Sequence, residues 1–208
     1  MSSPSSMRLV LASNNAKKLA ELQALFAPLP LTLVTQGSLG ISEAEEPHHT
    51  FVENALAKAR HAAQHAQGPA MADDSGLAVD ALGGAPGVLS ARYATLFGQP
   101  KSDAHNNRVL LDKLDHTEQR QGRFVCALVA VRSADDPEPL IAMGRWNGEI
   151  LRAPRGEAGF GYDPLMFIPA LGCSVAELSA AQKNQLSHRA LASVQLLAQM
   201  RDVWRLGA

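Results

Sequence analysis

Residues 7–35, MRLVLASNNAKKLAELQALFAPLPLTLVT, decide the fold class. Met7–Ala12 is short and mostly apolar, as a buried strand is. Ser13–Asn15 is polar and reads as a turn. From Ala16 to Ala27 the residues Leu19, Leu22, Leu25 and Phe26 recur at helical spacing. Leu31–Thr35 is again short and apolar. Strand, polar turn, helix, strand is the grammar of an α/β fold.

Outward from this unit, 37–49 is an acidic loop holding Glu43, Glu45 and Glu46. Thr50 and Glu53 match a capping box, in which the hydroxyl and the carboxylate satisfy amides at a helix start. The helix they open runs to about Ala66 and buries Val52, Leu56, Ala59 and Ala63, with Asn54 and Lys58 one turn apart beside that face. Gly68-Pro69 ends it. Ala70–Ala72 reads as a strand that ends in Asp73-Asp74-Ser75-Gly76, and 83–87 (GGAPG) as a loop. Ser102–Leu114 is a polar helical region. Arg123–Val131 is apolar almost throughout, as in a strand covered on both faces. Leu140–Leu151 reads as a strand pair or one long bent strand, since Asn147-Gly148 permits a turn or bulge. Residues 159–164 (GFGYDP) form a tight loop before a short strand, Leu165–Ile168. Ser174 and Glu177 make a second capping box, and Ser187 can cap a last helix with Leu191, Val194, Leu197 and Ala198 on its apolar side.

Composition narrows the function. The chain has 208 residues, 46% hydrophobic and 19% charged, enough for one domain over 7–208 behind a loose tail at 1–6. A net charge of -1 lacks the basic excess of a duplex binder, so nucleic acid is not the expected partner. A small anion needs only a few local cations. Cys126 and Cys173 are too few for a disulfide framework and read as reduced. No apolar stretch reaches the roughly 18 residues of a membrane span, and the start lacks a signal peptide's apolar core. Membranes are therefore not an expected partner either, and the expected location is the cytoplasm.

The candidate chemistry lies in four places. Glu45-Glu46 precedes a helix and Asp73-Asp74 leaves a strand; an all-oxygen set of this kind suits magnesium, held by one or two carboxylates plus phosphate and water. In an extended strand neighbours point to opposite faces, so only one of Asp73 and Asp74 enters a given site directly. Lys17 and Lys18 sit in the first turn of a helix, where backbone amides favour an anion, although the glycines of a P-loop are absent. Lys58 flanks an apolar face. Phe160 and Tyr162 lie between glycines, where an aromatic face can stack on a base. Lys183, His188 and Arg189 cluster around the start of the last helix, against the helix dipole, which hints at a ligand. His61 and His65 have metal-ligand spacing but no third ligand, and Ser75 lacks a nucleophile elbow.

Five blocks in order resemble the inosine triphosphate pyrophosphatase family, the non-canonical purine nucleoside triphosphate pyrophosphatases. They are LASNNAKKLAEL at 11–22, AEEPHHTFVENALAKARHAA at 44–63, ADDSGLAVDALGGAPGVLSARYA at 72–94, GFGYDPLMF at 159–167, and AEL with KN and SHRA at 176–190. The resemblance implies an elongated mixed α/β fold, a central sheet flanked by helices in two lobes with a cleft between them, and a homodimer. It implies magnesium-dependent cleavage of inosine, deoxyinosine and xanthosine triphosphates to the monophosphate and pyrophosphate. On the family pattern the turn from Ser13 through Asn14, Asn15 and Lys17 to Lys18 holds the triphosphate. Glu46 and Asp74 serve the metal, and Asp74 also accepts the proton. Lys58 matches an active-site lysine. Ser75, Phe160, Gly161, Tyr162, Asp163, Lys183, His188 and Arg189 match the substrate and base site. Two alternatives stand beside this reading: a Maf-like pyrophosphatase, which would show a Ser-x-Arg-Arg turn after the first strand, and a non-catalytic nucleotide-binding module, whose paired carboxylates would repel phosphate.

Overall fold

The structure is a computed structural model that describes residues 6–207. Apart from Ser6, whose hydroxyl meets that of Thr32 at 2.9 Å, the expected tail lies outside these residues. The order is β1 (Met7–Leu11), α1 (Ala16–Phe26), β2 (Leu31–Thr35), α2 (Phe51–Ala66), β3 (Ala70–Val79), α3 (Asp103–Lys113), β4 (Gln121–Val131), β5 (Leu140–Ile150), β6 (Met166–Ile168), β7 (Cys173–Ser174), α4 (Ala180–Leu186) and α5 (His188–Asp202). The strands form one sheet in the order β2-β1-β3-β4-β5-β6-β7. β1 runs parallel to β2 and β3, while β6 is antiparallel to β5 and β7. This mixed sheet with flanking helices is the α/β class read from the opening residues.

Two compact units divide the chain. The first comprises residues 1–74, 126–144 and 189–208; the second comprises 75–125 and 145–188. In the first, the two-residue period of the strands sorts side chains into two cores. Leu9, Leu11, Met71, Cys126 and Leu128 pack with Leu22 and Phe26 of α1 and Ala192, Leu196 and Met200 of α5. Val10, Ala12, Ala70, Ala72, Ala127 and Val129 pack with Ala55, Ala59, Ala62 and Ala63 of α2. The sheet thus carries α1 and α5 on one face and α2 on the other. In the second unit Leu77, Val79, Leu110, Leu114, Phe124 and Ile150 pack around Tyr162, Leu165 and Met166.

Two expectations change, and one left open is decided. β3 does not end at Asp73; it continues to Val79. Gly76 permits this, because a Cβ there would lie 2.4 Å from Ser90 Oγ and 2.5 Å from the Gly87 carbonyl oxygen. Ser90 Oγ also accepts the Leu77 amide at 2.9 Å, so the strand is held where the sequence suggested a turn. Of the two readings left open for 140–151, the single strand is the one found, as Leu140–Ile150. The apolar side of α5 is rotated from the expected one: Ala192, Leu196 and Met200 are buried, whereas Leu191 and Val194 are exposed.

Candidate active site

The alternation of β3 builds the site. Asp73 follows Met71 onto the face of α1 and α5; Asp74 follows Ala72 onto the face of α2. Their partners accordingly differ. Asp74 Oδ1 accepts from Lys58 Nζ of α2 at 2.8 Å, and the same ammonium donates to Glu46 Oε1 at 2.6 Å and to the Asp73 carbonyl oxygen at 3.0 Å. Those three acceptors match the ammonium's three hydrogens. Thr50 presents α2, accepting the Glu53 amide at 3.2 Å and donating to the Glu53 carboxylate at 2.6 Å. Asn54 ties the preceding loop down through the His48 amide and carbonyl.

Burial pushes the Asp74 carboxyl up; the charge and hydrogen bond of Lys58 oppose this, the charge of Glu46 adds to it, and the pKa stays above the ordinary value. Burial pushes Lys58 down, but the charges of Asp74 and Glu46 outweigh it and leave the pKa raised. Asp74 Oδ2 is buried and has no hydrogen-bond partner. A buried lone pair left without a partner calls for an explanation, and a cation supplies one. The donor set fits a hard cation: two carboxylates of oxygen only, with one net negative charge once Lys58 is counted. Among the described residues no group of three or more His, Cys, Asp or Glu could hold a metal by itself. Magnesium asks for fewer protein ligands than that, taking phosphate and water for the rest.

Asp73 is enclosed on the opposite face. Lys18 and Arg189 Nε, the latter at 2.9 Å, hold its two oxygens, and Cys126 Sγ donates at 3.2 Å. Burial pushes this carboxyl up, yet Arg189 and Lys18 overcome it and hold it well below the usual carboxylate range. Arg189 also reaches Glu21. Sequence placed Arg189 toward a base; the guanidinium is 1% exposed and faces two carboxylates.

The turn after β1 is organised by its own side chains. Ser13 Oγ accepts the Asn15 amide at 3.1 Å, and Asn15 Oδ1 accepts the amides of Lys17 and Lys18 at 3.0 and 3.1 Å. The helix-start amides expected to face an anion are therefore capped by Asn15. Asn14 accepts from the Gly37 amide at 3.0 Å and donates to Glu43 at 3.3 Å, joining the turn to the acidic loop. Lys17 is exposed.

A separate cluster forms in the second unit. Asp163 Oδ2 accepts the Phe160 amide at 2.9 Å and Lys183 Nζ at 2.8 Å. Lys183 also lies 4.3 Å from the centroid of the Phe160 ring, a cation–π distance. Lys183 comes from α4, whereas His188 and Arg189 open α5. His188 stacks on Phe124 at 4.9 Å. Tyr162 is buried, with its hydroxyl donating to the Ser90 carbonyl at 2.9 Å, so only Phe160 of the two aromatics offers an accessible ring. Gly161 donates to Asp103 at 2.8 Å and accepts from Asn107 at 2.9 Å. Ser75, half-buried, follows Asp74 in β3.

Sequence reasoning did not single out Glu21, Asp103 or Asn107, and read Cys126 only as a reduced cysteine. Glu21 lies three residues after Lys18 on α1, a helical neighbour, and Asp103 and Asn107 share a face of α3 by their i,i+4 spacing. Those spacings were the available signal.

Known proteins resemble this chain along most of its length. The Ham1 family profile matches residues 9–199. A dITP/XTP pyrophosphatase of Methylibium petroleiphilum is 68% identical over 206 residues, covering 95% of this chain and 99% of that protein. One from Ralstonia nicotianae is 62% identical, covering 93% and 96%. The solved structure of a HAM1 protein from Coxiella burnetii superposes with a TM-score of 0.87 at 43% identity, covering 94% of this chain and 99% of that one. A nucleoside-triphosphatase / dITP/XTP pyrophosphatase from Mycobacterium abscessus gives 0.71 at 40% identity, covering 90% and 98%. With the profile spanning residues 9–199 and a relative of 68% identity covering 95% of the chain, the protein belongs to the Ham1 family.

Proposed function

We propose that this chain hydrolyses non-canonical purine nucleoside triphosphates, those of inosine, deoxyinosine and xanthosine, to the monophosphate and pyrophosphate. The observation that carries the reading is Asp74. It is a buried carboxylate with one oxygen held by Lys58 and one left without a partner, beside Glu46, in a chain 68% identical to a dITP/XTP pyrophosphatase.

Glu46 and Asp74 would hold magnesium. When bound, that ion neutralises phosphate charge and eases departure of pyrophosphate. Asp74, with its raised pKa, is suited to take a proton from attacking water. Lys58 fixes Asp74 and Glu46 relative to one another. Ser13, Asn14, Asn15, Lys17 and Lys18 form a preorganised polar turn whose lysines answer a triphosphate's charge. In the second unit, Phe160 offers a face for a purine and Lys183 a donor for a carbonyl at C6; adenine presents hydrogens there instead. A site that requires one hydrogen bond can discriminate by about 10⁴. The same reading takes the protein as a cytoplasmic homodimer acting on a small-molecule triphosphate. A Maf-like enzyme is disfavoured by Ser13-Asn14-Asn15-Ala16-Lys17-Lys18, which lacks that family's paired arginines.

The test is a panel of nucleoside triphosphates with and without magnesium, products separated by chromatography. Inosine and xanthosine triphosphates should give monophosphate and intact pyrophosphate only with the metal present. Diphosphate and orthophosphate as first products, or equal turnover of adenosine triphosphate, would overturn the reading.

A further inference from the structure

The mechanism above leaves Asp73 without a task, although it is the more completely enclosed of the two acids. Its side chain has 0% exposure, and both oxygens are engaged, by Lys18 on one and by Arg189 and Cys126 on the other. Arg189 continues to Glu21. Lys18 and Glu21 both belong to α1, so the four residues form a chain of alternating charge that runs from α1 through β3 and α5 back to α1. Apolar side chains fill the layer around it, including Leu11, Met71 and Leu128. An ionic chain with its centre buried in such a layer adds little stability, since desolvation offsets most of its attraction and packed apolar residues do as well. It therefore asks for another use.

Lys18 points to that use. Its side chain is 18% exposed, whereas that of Asp73 is fully enclosed. Of the two cations on Asp73, Lys18 is the more exposed, and it lies in the segment proposed to meet the triphosphate. An ammonium has three donors on a flexible four-carbon stem, so a lysine with no anchor spreads its charge over many rotamers. One hydrogen fixed on a rigid carboxylate leaves two with defined directions.

We propose that Asp73 is a positioning residue that seats the Lys18 ammonium for the triphosphate, and that Arg189 and Glu21 hold Asp73 in place for this purpose. The proposal rests on the pyrophosphatase reading. Asp73 itself touches no substrate, and Arg189 acts on the phosphate end through Asp73. Such seating affects rate more than affinity, because misplacement of a charge costs most in the transition state.

The experiment is a double-mutant cycle of Lys18→Ala, Asp73→Asn and the combination, measured with inosine triphosphate at saturating magnesium. Asp73→Asn should lower kcat about tenfold or more without raising KM, since Lys18 keeps its charge, loses its seat, and a nearby negative charge is gone. In the Lys18→Ala background the same change should cost less than about threefold, because two residues acting through one contact are not additive. Additive losses, or a loss confined to KM, would overturn the proposal. Calorimetric titration of magnesium into the free proteins gives a readout apart from turnover. Unchanged affinity in Asp73→Asn supports seating, and a tenfold loss makes Asp73 a metal residue instead. Should thermal unfolding show that Asp73→Asn is not folded, Lys18→Arg takes its place. It keeps the charge but seats a planar guanidinium whose donors fall elsewhere than the ammonium's, so kcat should fall about tenfold; wild-type turnover would overturn the proposal. Wild-type protein that releases no pyrophosphate refutes the pyrophosphatase reading, whereas an active wild type with an additive cycle refutes only the role of Asp73.

Discussion

Asp73 and Asp74 are neighbours whose environments act in opposite directions on stability. Asp74 is raised mainly by burial, so its ionised form is disfavoured in the fold and costs stability at neutral pH. Asp74→Asn should therefore leave the melting temperature of the free protein unchanged or higher while lowering kcat by roughly the 10²–10⁴ typical of a lost base. Thermal unfolding and turnover on the same preparation check both halves; a destabilised variant with near-normal kcat would remove Asp74 from the proposed chemistry. Asp73 is lowered, so its ionised form stabilises the fold. That contribution is complete above its unfolded value, near 3.8, and is lost as pH falls through the lower folded value. Acid unfolding should begin below pH 4, and Asp73→Asn should flatten that slope in a pH series of denaturant midpoints. Base selection belongs to the same scale. Lys183→Ala should narrow the ratio of kcat/KM between inosine and adenosine triphosphates, because the donor for a C6 carbonyl is lost. An unchanged ratio would exclude Lys183 as a reader of the base.

At the scale of elements, the sequence was legible wherever one period ran unbroken. β1, α1, β2 and α2 lie where apolar spacing and caps put them; Ser174 and Glu177 make the full expected box, while at Thr50 the Glu53 carboxylate takes the Thr50 hydroxyl instead of its amide. The opposite facing of Asp73 and Asp74 also followed from the two-residue period. β3 was cut short because Asp, Ser and Gly favour turns locally, and the contacts that keep it extended come from Ser90, distant in sequence. The rotation of α5 failed for a related reason: Leu191 and Val194 are as apolar as the residues that are buried, so composition could not choose the face. The carboxylate partners of Arg189 were not legible, because Asp73 and Glu21 lie far from it in sequence and a cation at a helix start looks like a ligand site. The uncertainty over 140–151 ended at Gly148, where a Cβ would lie 2.3 Å from the Phe167 carbonyl oxygen. β6 meets β5 at Glu149 and Ile150, so the glycine provides clearance for that pairing. Gly148→Ala should cost roughly 2–3 kcal/mol, as overpacking does, and lower the melting temperature by about 4–12 °C. A shift below one degree would show that the strands relax without penalty.

The whole molecule joins two units that share strands. The chain passes from one unit to the other within β3 after Asp74, within β4 after Val125 and within β5 after Gly144, and again after His188 at the start of α5. Each unit has its own hydrophobic clusters, which by themselves would favour independent melting. The strands argue the other way. Releasing either unit frees half of β3, β4 and β5, and the remaining half of each strand then begins at a frayed end. The central elements of both units are lost together, so unfolding should be a single cooperative transition even above the roughly 150 residues where two-state behaviour is usual. The chain carries its own reporters, since its two tryptophans fall one in each unit, Trp146 in the second and Trp204 in the first. Trp146→Phe leaves fluorescence that reports the first unit, and Trp204→Phe leaves fluorescence that reports the second. In urea, each variant's remaining tryptophan should give the same midpoint as its own far-ultraviolet circular dichroism, and calorimetric and van't Hoff enthalpies of the wild type should agree. Midpoints that separate within one variant, with fluorescence leading or trailing the circular dichroism, would show that the shared strands do not couple the units.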